Sequence, residues 1–279
     1  MRNTGKNITI VLNNLTVSYQ DEGPENAPVI IFIHGFPFNK SMWNYQTEAL
    51  KSSYRVIAYD VRGHGNSGIG NEDFAIELFV LDLIGLMDAL KIDKAVLCGL
   101  SMGGYIALNA IANHSARFDA LVLSDTNCIA DSAETKEKRL KAIENIREFG
   151  VEEYAGESVI SLFAPASGTT KPEEIAAAKE MIRNTSEQSL YNTLLALAAR
   201  KETCTMLPDI TVPVLIMVGE EDVITPPAAA RLMQDKIKDC HLHIILQAGH
   251  LSNMENPYDF NDQLRKFVAS VYENQFRHE

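Results

Sequence analysis

Residues 94–112, KAVLCGLSMGGYIALNAIA, decide the fold. An apolar run, KAVLC, ends in Gly99-Leu100-Ser101-Met102-Gly103, and an apolar segment of helical period begins directly behind it. G-x-S-x-G in this context is a tight strand-to-helix turn that holds its serine in a strained conformation. The flanking glycines are required because a Cβ there would strike the neighbouring strand or helix. Ser101 is therefore the candidate nucleophile.

Outward from this turn, short Val/Ile/Leu runs alternate with helical patterns. The runs are PVIIFIHG (28–35), YRVIAYD (54–60), KAVLCG (94–99), DALVLSD (119–125), PVLIMVG (213–219) and HLHIIL (241–246). Continuous apolar runs suit strands buried on both faces of a parallel sheet. ITIVL (8–12) and LTVSY (15–19) flank the turn dipeptide Asn13-Asn14 and read as a hairpin. Residues 73–91, 102–113, 226–237 and 257–273 read as inter-strand helices; Ile76, Phe79, Leu83, Leu86 and Leu90 fall on one face of the first. The alternation predicts an α/β fold, a doubly wound and mostly parallel sheet of eight strands.

From about Ile129 to Met206 no strand pattern occurs, only helical stretches such as ETKEKRLKAIENIREF, PEEIAAAKEMIRN and EQSLYNTLLALAARK. A plain crossover needs far fewer residues, so this insert reads as a helical cap after the sixth strand. The expected division is core 1–129, cap 130–205 and core 206–279.

A serine hydroxyl needs a base, and the base needs an orienting acid. Behind this kind of turn, acid and histidine follow the serine in that order. Asp222 lies in GEEDVITPP after the strand PVLIMV, and His250 lies in QAGHLSNMENP after HLHIIL. Both fall at carboxyl ends of strands, on the edge of the sheet that holds Ser101. Asp125, closing DALVLSD, is the rival acid. Donors for an oxyanion are expected from the backbone N–H of Met102, at a helix start, and of Phe36 in His34-Gly35-Phe36-Pro37, since Pro37 has none. His34 and His64 read as structural, and His241 and His243 alternate along a strand. His114 ends a helix and His278 lies in the tail.

Twenty-five Lys and Arg against 37 Asp and Glu give a net charge of −12. Such a field repels phosphate backbones and anionic headgroups, so neither nucleic acid nor a membrane is expected as a partner, and polyanionic substrates are disfavoured. No apolar run approaches the ~20 residues that span a bilayer, and MRNTGKNITIVLNNL lacks the pattern of a secretory signal. Cys98, Cys128, Cys204 and Cys240 are widely spaced with no C-x-x-C pair, which predicts free thiols in a reducing, cytoplasmic compartment.

HGFPFNKSMW, YDVRGHGNS, CGLSMGGYIAL, LVLSDT, VGEEDVITPP and AGHLSNMENP, in this order, resemble the α/β-hydrolase superfamily. Within it the chain is similar to the branch holding 3-oxoadipate enol-lactonases, small carboxylesterases and cofactor-free haloperoxidase-perhydrolases. Serine at position 101 argues against dehalogenases and epoxide hydrolases, which carry aspartate there. The resemblance implies a serine hydrolase of small-molecule esters or lactones, with no cofactor or metal. Ser101, His250 and Asp222 would form its triad, and Phe36 and Met102 its oxyanion hole. The alternatives are C–C bond hydrolysis of a vinylogous diketone, and a slow ligand sensor whose cap docks a partner. Residues 133–149, rich in charge, read as a solvated face, which speaks against docking. Phe36, Trp43, Leu162, Phe163 and Leu194 are expected to line the pocket.

Overall fold

Strand β3 (Val29–Ile33) shows how the sheet is covered. Ile30 and Phe32 pack into one cluster of buried side chains and Ile31 and Ile33 into another, on the opposite face. Successive side chains of a strand point to opposite faces, so a run with no polar position needs helices on both sides. The apolar side chains of β4 (Arg55–Tyr59), β5 (Ala95–Leu100), β6 (Phe118–Ser124) and β7 (Val214–Gly219) divide between the same two clusters.

The computed structural model describes residues 2–12 and 14–275. Asn13, half of the expected turn dipeptide, and His278 lie outside the described residues. Strands β1 (Gly5–Leu12) and β2 (Leu15–Glu22) pair antiparallel, as the hairpin reading requires. With β8 (Cys240–Ile245) the sheet runs β1-β2-β4-β3-β5-β6-β7-β8, parallel from β4 onward. β8 is half-exposed because it forms the edge, so the expectation of burial on both faces fails for this strand.

Helix α1 (Asn44–Leu50), preceded by a 3₁₀ turn (Lys40–Trp43), has no counterpart in the sequence reading. α2 (Ile76–Ala89) and α3 (Met102–His114) follow the expected periodicity. Between β6 and β7 lie only helices and one 3₁₀ turn: α4 (Ala133–Leu162), α5 (Ser167–Thr170), α6 (Pro172–Arg183) and α7 (Glu187–Ala199). α4 is two arms meeting at Gly150, whose φ of 83° breaks the helix. α8 (Pro227–Gln234) and α10 (Pro257–Gln275) begin on prolines, tolerated in a first turn, and α9 (Ser252–Glu255) is a single turn.

The free-thiol expectation is corrected. Cys128 and Cys204 form a disulfide, whereas Cys98 and Cys240 are free. Their separation of 76 residues hides the pairing in sequence. Cys128 stands where the chain leaves the sheet and Cys204 where it returns, so the helical insert itself brings them together. Thr203 N–H donating to Cys128 O at 2.8 Å ties the same two segments.

Candidate active site

Strand order places the site. From β3 the chain crosses to β4 on one side and from its neighbour β5 to β6 on the other, so the carboxyl ends of β3 and β5 flank the kind of switch point where open α/β sheets bind ligands. The loop after β3 carries Phe36 and the turn after β5 carries Ser101. Farther along the same edge, β6, β7 and β8 are followed by Asp125, Asp222 and His250.

Ser101 has φ 54° and ψ −114°, a left-handed conformation that a non-glycine residue rarely adopts. Its carbonyl accepts from Thr126 Oγ1 at 2.9 Å and its N–H donates to Ser124 O at 3.0 Å. The turn fits only because its flanks lack side chains. A Cβ on Gly99 would stand 2.2 Å from Gly103 O, and one on Gly103 would stand 2.2 Å from Ile33 O.

His250 Nε2 lies 2.9 Å from Ser101 Oγ, and Nδ1 lies 2.8 Å from Asp222 Oδ2. With Nδ1–H donating to the carboxylate, Nε2 is the acceptor for the serine proton. Asp222 is fixed from behind. Its Oδ1 accepts the N–H groups of Ile224 and Thr225 at 2.8 and 3.0 Å, and Thr225 Oγ1 donates to Oδ2 at 2.7 Å. Burial acts to lower the pKa of His250, but the charge and hydrogen bond of Asp222 outweigh it, with Asp125 and Glu255 adding, and hold it above its ordinary value. Burial opposes ionisation of Asp222, yet His250 and the Thr225 donors keep its pKa low.

Asp125 does not reach the histidine ring. It accepts Gly219 N–H at 2.8 Å, Ser124 Oγ at 2.7 Å and Ser252 Oγ at 2.5 Å. Burial, followed by the nearby Asp222 charge, raises its pKa to about 7.

Glu255 went unnoticed in the sequence, although it lies within the QAGHLSNMENP segment. It is 2% exposed and accepts from Gly249 N–H at 2.7 Å, Ala164 N–H at 2.8 Å and Ser167 Oγ at 2.6 Å. Leu162 O accepts the N–H of His250 at 2.9 Å. The histidine loop is thus bonded to the end of the long helix α4.

A cavity of about 360 Å³ opens above Ser101. Phe36, Leu162 and Leu194 line it as expected. Trp43 and Phe163 do not: Trp43 is fully buried against Phe32 and Phe260, and Phe163 packs into the core cluster on that face. Phe36 and Met102 both line the cavity, and among the described residues neither N–H has a protein acceptor. Each arm of α4 contributes one stripe, Thr135, Lys138, Arg139 and Ala142, then Tyr154, Ser158, Ser161 and Leu162, all at helical spacing. Part of 133–149 therefore faces the cavity, which corrects its reading as a purely solvated face.

His34 and His64 are fully buried, and burial lowers their pKa values to about 4 and about 3. His34 Nδ1–H donates to Gly35 O at 2.8 Å and Nε2 accepts Val61 N–H at 2.9 Å, bracing the Phe36 loop. His243 pairs with Asp259 at 3.0 Å. Among the described residues, no three His, Cys, Asp or Glu side chains are grouped to hold a metal ion, and no helix is long and apolar enough to cross a membrane.

Comparison with known proteins agrees with this architecture. Residues 28–257 match the family model described as alpha/beta hydrolase fold. The chain is 32% identical over 256 residues to 3-oxoadipate enol-lactonase 1 of Acinetobacter baylyi, covering 92% of this chain and 94% of that protein. Among solved structures, a thermophilic esterase from Thermogutta terrifontis with malate bound superposes at a TM-score of 0.89 and 32% identity, over 96% and 99% of the two chains. The enol-lactonase of Burkholderia xenovorans superposes at 0.88 and 29% identity, over 94% and 100%. By its sheet order, its serine turn and these likenesses, the chain belongs to the α/β-hydrolase fold family.

Proposed function

We propose that this hydrolase cleaves a carboxylic ester or lactone of a small substrate through an acyl-enzyme on Ser101. The observation that carries the reading is the Ser101–His250–Asp222 relay, with links of 2.9 and 2.8 Å, opening on the 360 Å³ cavity. The similarity to enol-lactonases and an esterase supports the same substrate class.

In this reading Ser101 Oγ attacks the carbonyl carbon while His250 Nε2 takes its proton. Negative charge moves to the carbonyl oxygen, which the N–H groups of Phe36 and Met102 receive, each worth ~3 kcal/mol in the transition state. Collapse breaks the bond to the leaving oxygen, and His250 returns its proton there, releasing an alcohol or opening the lactone to an enol. Water then gives a proton to His250 and attacks the acyl carbon, and the acid leaves as Ser101 regains its proton. Asp222 stays ionised and holds the imidazole tautomer throughout. Residues 130–205 serve as the cap over this site, between core segments 1–129 and 206–279.

The test uses Ser101→Ala and a fluorophosphonate probe. Turnover of 4-nitrophenyl acetate and butyrate should vanish in the variant, and the probe should label the native enzyme at Ser101 alone. Persistent turnover or labelling in Ser101→Ala overturns the assignment.

A further inference from the structure

The histidine loop and the chain leaving α4 meet at backbone distance. A Cβ on Gly249, the residue before His250, would stand 2.6 Å from Ala164 N and 2.7 Å from the carbonyl carbon of Phe163. No side chain fits between the two segments. Leu162 O, at the last residue of α4, accepts the N–H groups of His250 and Leu251 at 2.9 and 3.2 Å. Ser161 and Leu162 also line the cavity, so one helix end both borders the substrate space and seats the histidine.

The single-turn helix α9, directly behind His250, has three polar anchors. Ser252 is bonded to Asp125 at the end of β6, and Asn253 Nδ2 donates to Met42 O at 2.9 Å. Glu255 supplies the third, and of the three only this one reaches the insert between β6 and β7. Its Oε1 accepts Gly249 N–H, while its Oε2 accepts Ala164 N–H and Ser167 O–H. All three partners are donors, so a carboxylate satisfies them together. An amide of the same shape would turn its NH₂ group against a backbone N–H, whichever way it lay. Burial raises the pKa of Glu255, the three donors act against the rise, and the charge of Glu221 adds to it. Glu255 has no bond to Ser101, His250 or Asp222 side chains, so it takes no part in the proton relay.

We propose that Glu255 is a positioning residue, which fixes His250 against Ser101 by tying Gly249 to Ala164 and Ser167. The end of α4 is then part of the frame that sets the 2.9 Å link between His250 Nε2 and Ser101 Oγ. A misplacement of about 1 Å in such a link costs on the order of 100-fold in rate. Binding of a short acyl group leaves this tie untouched, so its loss falls on the chemical step. This inference rests on the ester-hydrolase reading above and adds a residue that acts on the rate through the histidine.

The experiment follows pre-steady-state acylation by 4-nitrophenyl acetate in the native enzyme, Glu255→Gln, Ser167→Ala and the double variant, with the melting temperature of each. Glu255→Gln should lower the acylation rate constant by about 10- to 100-fold, with the half-saturating concentration within about twofold of native. Ser167→Ala removes one donor on the insert side and should lower the rate constant by about two- to tenfold. The double variant should fall no further than Glu255→Gln, because both changes break one tie. An unchanged acylation rate in Glu255→Gln overturns the proposal, even where its melting temperature drops. So do single losses that multiply in the double variant, and a loss confined to half-saturation. Where Glu255→Gln does not fold, Ser167→Ala decides: a slower acylation step supports the tie and an unchanged one overturns it. If the native enzyme is acylated and the variants match it, the ester-hydrolase reading stands and the positioning role alone falls. If neither the ester nor a fluorophosphonate reacts with the native enzyme, both fall.

Discussion

Ser252 Oγ donates to Asp125 Oδ2 at 2.5 Å, joining the end of β6 to the residue two places after the histidine. With Gly219 N–H on Oδ1, this bond turns the Asp125 carboxylate toward the backbone of the sheet edge and away from the imidazole. Asp222, two strand ends away from Ser101, is the carboxylate that meets His250 Nδ1. Two buried acids at one edge therefore hold different posts: one orients the ring, the other the loops around it.

The first prediction separates them. Asp222→Asn should lower turnover by something like 10⁴-fold, as loss of the orienting acid does in serine proteases. Asp125→Asn should cost less than roughly tenfold, with some loss of stability from its broken hydrogen bonds. Pre-steady-state acylation with a chromogenic ester measures both, and the reverse ranking would give the orienting role to Asp125.

The pH profile follows from the same pair. His250 must be neutral to accept the serine proton, and its pKa is raised above the ordinary 6.5. The acid limb of kcat/KM should accordingly have its midpoint above pH 6.5. Asp125, with a pKa near 7, ionises over the same range, and its negative charge favours the imidazolium. Asp125→Asn removes that charge and should move the limb to lower pH. An unmoved or upward limb contradicts the assignment.

The serine turn allows a test on stability. Gly103→Ala places a methyl group 2.2 Å from the Ile33 carbonyl oxygen, a backbone atom of the central sheet that cannot step aside. Denaturant titration should show a loss of roughly 3 kcal/mol, at the upper end for overpacking, together with loss of turnover. Gly156→Ala, in the second arm of α4, meets only the Lys179 side chain at 3.6 Å and should gain about 0.5–1 kcal/mol. Similar effects at both sites would mean that the turn is not sterically constrained.

Removing the disulfide should be costly. A bond closing 76 residues restricts the unfolded chain by an amount that corresponds to about 4 kcal/mol in the chain-entropy account. Cys128→Ser with Cys204→Ser should lower the melting temperature by roughly 10 °C in calorimetry. Reductant should lower it in the native protein and leave the double variant unmoved.

Ser101, Asp222 and His250 were legible because each follows an apolar run at the carboxyl end of a strand, and that edge is fixed once the sheet is parallel. Their juxtaposition needed only strand order. Asp131, Arg139 and Arg200 were not legible as an ion-pair group, because their meeting depends on where the insert leaves and rejoins the sheet. Nor could charge density along 133–149 tell the cavity-facing stripe from the solvated one. Trp43 misled for a related reason: its position after the Phe36 loop suggests the pocket, but the 3₁₀ turn at Lys40–Trp43 rotates it into the core under Phe32. The Cys128–Cys204 pair was hidden by sequence distance alone.

That covalent tie at the neck also changes what a protease can do to this enzyme. A single cut anywhere between Cys128 and Cys204 leaves two pieces of polypeptide that are still one molecule, since the sulfur bridge spans the nick. The cut protein should migrate as an intact chain until it is reduced, and then fall into two fragments. The helices over the site can be severed once without being shed.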